Sequence, residues 1–124
     1  MIRVVLETPY AGKTKAEVEE NVAYARKCLL DCLRRGETPL AGHLLYTQVL
    51  DEAKERRLGL TAHLRWIECA DGLVVYTDRG ISSGMQEAVM VAQESETHIE
   101  FRKLKEVKLS STADLDMRDK HRKR

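Results

Sequence analysis

The residues best placed to do chemistry gather in one turn, Gly80-Ile81-Ser82-Ser83-Gly84-Met85. A glycine-containing turn that runs into a helix leaves the first N–H groups of that helix without partners, and the helix dipole adds partial positive charge at the same place. Ser82, Ser83, Gly84 and Met85 could therefore hold a phosphate or a sugar hydroxyl. The plain alternative is that Ser and Gly here serve only as helix caps. A second candidate is the loop Thr8-Pro9-Tyr10-Ala11-Gly12-Lys13. Tyr10 offers an aromatic face on which a base can stack, and Gly12 lets backbone come close to a ligand; the competing role for Tyr10 is to cover the edge of the core. His43, between Pro39 and Leu44-Leu45, could donate to a ligand hydroxyl or move a proton, or be an ordinary surface histidine. Asp78 could orient a sugar hydroxyl, whereas Asp71 reads as the start of a turn. His63 and His98 have no such context and read as structural.

These residues need elements to hold them. Ile2 to Leu6 is a β-branched apolar run, expected to open the domain as a buried strand. Thr14-Lys15-Ala16-Glu17 has capping-box spacing. Val18, Val22, Ala25, Leu29 and Cys32 then recur at helical spacing, and Gly36 supplies a stop. A short strand is expected between Thr38 and Gly42. Thr47 is expected to cap a second helix carrying Val49, Leu50 and Ala53, which Leu58-Gly59-Leu60 breaks. A third helix then runs from Thr61 to Cys69. Leu73-Val74-Val75-Tyr76 reads as the central strand. A helix starts at Ser82 or Ser83 with Met85, Ala88, Val89 and Ala92 facing the core, and a strand follows from Thr97 to Phe101. Val107 and Leu109 suggest a further edge strand.

Alternating strands and helices imply a parallel sheet with helices on both faces, so the expected fold class is a three-layer, flavodoxin-like (Rossmann-like) α/β domain over residues 1–109, with residues 110–124 as a flexible basic tail. In such sheets ligands sit beyond the carboxyl ends of the strands. Thr8 to Lys13, Pro39 to Tyr46 and Thr77 to Met85 all belong there.

Composition narrows the function classes. The chain has 124 residues, with 43% apolar and 33% charged and a net charge of +1, as expected of one globular domain. Asp114 to Arg124 hold five Lys/Arg and three Asp, which leaves the rest of the chain close to neutral. A body so balanced argues against nucleic acid as a partner. No apolar run is long enough to cross a bilayer. Cys28, Cys32 and Cys69, an odd number without a secretory signal, suggest reduced thiols in the cytoplasm. Cys28 and Cys32 share a helix face but lack a nearby histidine, so no metal site is expected, and no cofactor.

In their order and spacing these segments resemble the nucleoside 2-deoxyribosyltransferase superfamily, particularly its short phage- and bacteria-associated members. The resemblance covers about residues 2 to 104. It is carried by Val4-Val5-Leu6-Glu7-Thr8-Pro9-Tyr10-Ala11-Gly12, by Asn21, by Gly36 to Pro39 followed by His43-Leu44-Leu45, by Cys69-Ala70-Asp71-Gly72-Leu73-Val74-Val75-Tyr76, and by Gly80-Ile81-Ser82-Ser83-Gly84-Met85 with Ala92. It implies N-glycosidic bond chemistry on a nucleoside or nucleotide, and a homo-oligomer. Enzymes of that family carry a glutamate nucleophile in the first turns of the last main helix. The matching position here is Ala88. Glu87 is adjacent, but one residue along a helix turns a side chain by about 100°. The expectation is thus a nucleoside- or nucleotide-binding relative of N-glycosidases or deoxyribosyltransferases with impaired catalysis, with Glu87 as nucleophile only if the helix start is irregular and Asp78 assisting. The alternative is a protein that sequesters a nucleotide without turning it over.

Overall fold

A computed structural model of the chain describes residues 1–104. The elements run β1 (Arg3–Glu7), α1 (Lys15–Arg34), β2 (Thr38–Leu40), α2 (Gly42–Leu45), a single 3-10 turn (Tyr46–Gln48), α3 (Glu52–Ile67), β3 (Gly72–Tyr76), α4 (Ser83–Glu94) and β4 (His98–Arg102). The four strands form one parallel sheet in the order β2-β1-β3-β4. This is the three-layer α/β fold that the alternation of elements implies. The expected strand at Val107 and Leu109 and the tail from residue 110 lie outside the described residues. No helix among the described residues is long and apolar enough to cross a membrane.

The sheet sorts its side chains by the two-residue period of a strand. Val4, Leu6, Val74 and Tyr76 point to one face and pack with Tyr24, Cys28 and Cys32 of α1. Val5, Leu73 and Val75 point to the other, against Leu64 and Ile67 of α3 and Met85, Ala88 and Ala92 of α4. β3 is buried along its whole length, as its unbroken apolar sequence requires. Pro39, which has no N–H to give a ladder, sits in edge strand β2.

Two helices depart from the sequence expectation. α1 is capped by Thr14, whose hydroxyl accepts the Glu17 N–H at 3.1 Å. Ala25 and Cys32 are buried as expected and Leu29 packs half-buried beside them, but the rest of the buried face is Asn21, Tyr24, Cys28 and Asp31, while Val18 and Val22 are only half-buried. The polar members are buried because each has a partner. Asn21 Nδ2 donates to the carbonyls of Tyr10 and Ala11, Tyr24 donates to Asp78, and Asp31 accepts from Tyr76. The second departure is α3, which is one helix rather than two. Gly59 does not break it; a Cβ there would lie 3.1 Å from Leu50 Cδ1, so the glycine lets the preceding segment pack closely on the helix. Asp51, not Thr47, is the cap, accepting from the Ala53 N–H at 3.0 Å. The Thr47 hydroxyl instead donates to the His43 carbonyl.

On the α1 face, β4 contributes Arg102, level with Tyr76 in the ladder. Its guanidinium is buried and bonded to Glu37 Oε1 at 2.7 Å and to Glu100 Oε2 at 2.8 Å. Glu37 begins the approach to β2, so this pair ties the two edges of the sheet together across α1. Removing one member of a buried pair leaves the other charged and unpaired. Glu37→Ala should therefore cost about 3 kcal/mol in urea unfolding. A loss near that of an exposed ion pair would contradict this role.

Candidate functional site

The strand order reverses direction between β1 and β3, because β1 leads out to β2 on one side and the chain returns to β3 on the other. That reversal opens a crevice at the carboxyl ends of the strands. A cavity enclosing about 80 Å³, with an open mouth, lies there. Its floor is Glu7 and Thr8 at the end of β1. Tyr10 and Ala11 form one wall, Gly42 and His43 a second, Arg56, Leu60 and His63 of α3 a third, and Ser82, Gly84 and Met85 at the start of α4 a fourth.

Five residues singled out by sequence thus meet around one cavity: Tyr10, His43, Ser82, Gly84 and Met85. Tyr10 is held there through its backbone, whose carbonyl accepts from Asn21 at 3.1 Å. Ser82 caps α4: its hydroxyl accepts the Met85 N–H at 3.3 Å, and its own N–H points to Met85 Sδ at 3.3 Å. The Ser82 hydroxyl is therefore committed to the helix, while the amides of Ser83 and Gly84 have no side-chain cap among the described residues. His43 Nε2 lies 2.7 Å from the Thr8 hydroxyl.

The other candidates stand elsewhere. Ser83 is exposed and does not line the cavity. Gly12 packs on α1, where a Cβ would come within 2.6 Å of Glu17 Cβ. Asp78 turns to the opposite face of the sheet. There its carboxylate accepts from Tyr24 at 2.6 Å and from the Leu104 N–H at 2.7 Å, beside a separate hollow lined by Glu20, Lys27 and Arg79. Glu87 is drawn outward by Arg57 of α3, with both carboxylate oxygens within 3.1 Å of Nη1. Ala88 is fully buried against the sheet with Met85 and Ala92. The start of α4 is regular, so the irregularity that would turn Glu87 toward the ligand is not present.

The carboxylate at the floor of the cavity is Glu7, which together with His63 was not among the sequence candidates. Glu7 is 4% exposed, and its Oε2 is in close contact with His63 Nε2. The other ring nitrogen of His63, Nδ1, accepts the Gly42 N–H at 3.1 Å. Burial pushes the Glu7 carboxyl above its usual range, with the histidine contact opposing it. Position 42 must be glycine for this arrangement, because a Cβ there would stand 2.4 Å from His63 Nδ1 and 2.8 Å from its Cβ. Glu52 and Arg56 stand further out at the mouth.

This is a parallel α/β protein with one cavity at the topological switch point, walled by loops from three strand ends. The chain belongs to the family described as a domain of unknown function (DUF7768), whose model matches residues 2–102. No curated protein matches it.

Two outcomes test this geometry. Gly42→Ala should lower stability by about 2 kcal/mol, since the new methyl must displace a packed ring; an unchanged urea midpoint would contradict the close contact. The second concerns His43, which burial, with His63 adding to it, pushes down to about 3 from an ordinary value of 6.5. Between those values the unfolded chain binds a proton that the folded chain refuses, so stability falls as pH drops through that window. The loss in unfolding free energy from about pH 7 to about pH 5 should be about 2 kcal/mol smaller in His43→Gln than in the parent. Equal losses in the two proteins would show that the ring protonates freely.

Proposed function

We propose that this chain binds a nucleoside or nucleotide at the switch-point cavity and holds it without using a carboxylate of α4 as a nucleophile. The observation that carries this reading is the meeting of Tyr10, neutral His43 and the α4 start around one cavity, while Glu87 is bonded to Arg57 outside it. The resemblance to nucleoside 2-deoxyribosyltransferases supports the ligand class. The departure at Ala88 supports binding over turnover.

The cavity has a direction. Its outer wall carries the start of α4 at Ser82 and Gly84 and the Arg56 guanidinium, which favour an anionic group. Its floor carries Glu7, which repels one. A nucleotide therefore enters with its phosphate toward the mouth. The enclosed volume takes one ring, and the remainder of the ligand stays at the opening. Tyr10 is the aromatic wall against which a base can stack.

Equilibrium binding to a panel of nucleosides, deoxynucleotides and nicotinamide nucleotides, with chromatography for released base, tests this. Saturable binding without base release is expected. Tyr10→Ala should weaken it about tenfold, the value of one lost stacking contact. Release of base by the parent protein that is lost in Glu87→Gln would overturn the reading in favour of an α4 nucleophile, and absence of binding to every member would overturn the ligand class.

A further inference from the structure

Glu7 is buried at the floor of the cavity and only one of its two oxygens is used. Oε2 is taken by His63, whereas Oε1 accepts no hydrogen bond among the described residues. Oε1 is also not among the fully enclosed polar atoms that lack a partner, so it opens into the cavity that Glu7 lines. A carboxylate oxygen left in this state awaits a donor, because an unpaired buried acceptor is costly.

The hydrogen-bond chain fixes what kind of atom Oε1 is. The Gly42 N–H donates to His63 Nδ1, so that nitrogen carries no proton. The ring proton therefore sits on Nε2 and is donated to Glu7 Oε2. With Oε2 held as an acceptor, the free lone pairs of the carboxylate are those of Oε1. Gly42 thus sets the tautomer of His63, and His63 sets the orientation of Glu7. The neighbouring polar pair does not compete, since Thr8 and His43 are bonded to each other.

From this geometry we infer that Glu7 Oε1 is the specificity-determining acceptor of the cavity, receiving a hydrogen bond from a neutral donor on the ligand, with His63 as its positioning residue. The inference rests on the nucleoside reading above and names the part of the ligand that reaches the floor. Adenosine offers two kinds of neutral donor, the sugar hydroxyls and the exocyclic amine of the base. An anionic group is excluded from the floor by charge.

The probes that separate these are adenosine, 2′-deoxyadenosine, 3′-deoxyadenosine and purine riboside, which lacks the amine. Calorimetric titration of the parent protein should show at least about a tenfold loss for the analogue missing the donor that meets Oε1, as expected when a buried acceptor is left unpaired. Loss with a deoxy analogue assigns the donor to the sugar, and loss with purine riboside assigns it to the base. In Glu7→Gln the His63 N–H retains the amide oxygen, so an NH2 donor now faces the cavity and the discrimination should vanish. Binding of all four probes with equal affinity overturns the inference and leaves the nucleoside reading standing. Discrimination that persists in a folded Glu7→Gln overturns it too. Binding of none of the four overturns both. If Glu7→Gln fails to fold, the parent series decides alone. The positioning role of His63 has its own readout: imidazole 15N shifts should report a proton on Nε2 and none on Nδ1 in the unliganded protein, and the reverse tautomer overturns it.

Discussion

A carboxylate buried at the end of the first strand organises this molecule's functional end. Glu7 closes an otherwise apolar run, Val4-Val5-Leu6, at the point where the sheet reverses. Its charged form is tolerable only with a donor beside it, and His63 on α3 supplies one. That requirement fixes the distance of α3 from β1. His63 must in turn have its second nitrogen satisfied, and the Gly42 N–H does so from the start of α2. Three segments distant in sequence are thereby pinned around one atom pair, and the cavity is the space left between them.

The opposite face of the sheet is built on the same principle with a different outcome. There Arg102, Glu37, Tyr76 and Asp31 are buried and mutually bonded, so the polar groups are consumed in holding β4, β2 and α1 together. Arg102 Nε is left unpartnered but is fully enclosed. Glu7 Oε1 differs because it opens onto solvent-accessible space. That contrast separates a structural polar network from a recognition site more sharply than residue type does, since both contain buried carboxylates.

Much of this was legible in the sequence where local chemistry is decisive. The Thr14 cap, the Gly36 stop, the buried run Leu73-Val74-Val75 and the Ser82 cap are each signalled by a few neighbouring residues, and all are in place. The convergence of Tyr10, His43, Ser82, Gly84 and Met85 followed from the rule that ligands gather beyond parallel strand ends. The polar face of α1 and the positions of Asp78 and Glu87 were not legible, because each is decided by a partner far along the chain: Tyr24 for Asp78 and Arg57 for Glu87. His63 was hidden by Gly59. Read as a helix breaker, that glycine separates Arg56 from His63; read as a close-packing site, it leaves one helix on which Arg56, Leu60 and His63 fall at i, i+4 and i+7, a single face. The isolated Glu at the end of an apolar strand is the signal by which Glu7 could have been found.

Where a nucleoside docks is the deciding question. The most direct measurement is a titration of the 15N-labelled protein with adenosine and with AMP, following every backbone amide. Shifts concentrated at Tyr10, Ala11, Gly42, His43, Ser82 and Gly84 are what the switch-point cavity predicts. Shifts confined to Glu20, Lys27, Asp78 and Arg79 would place the ligand in the hollow on the opposite face and contradict it.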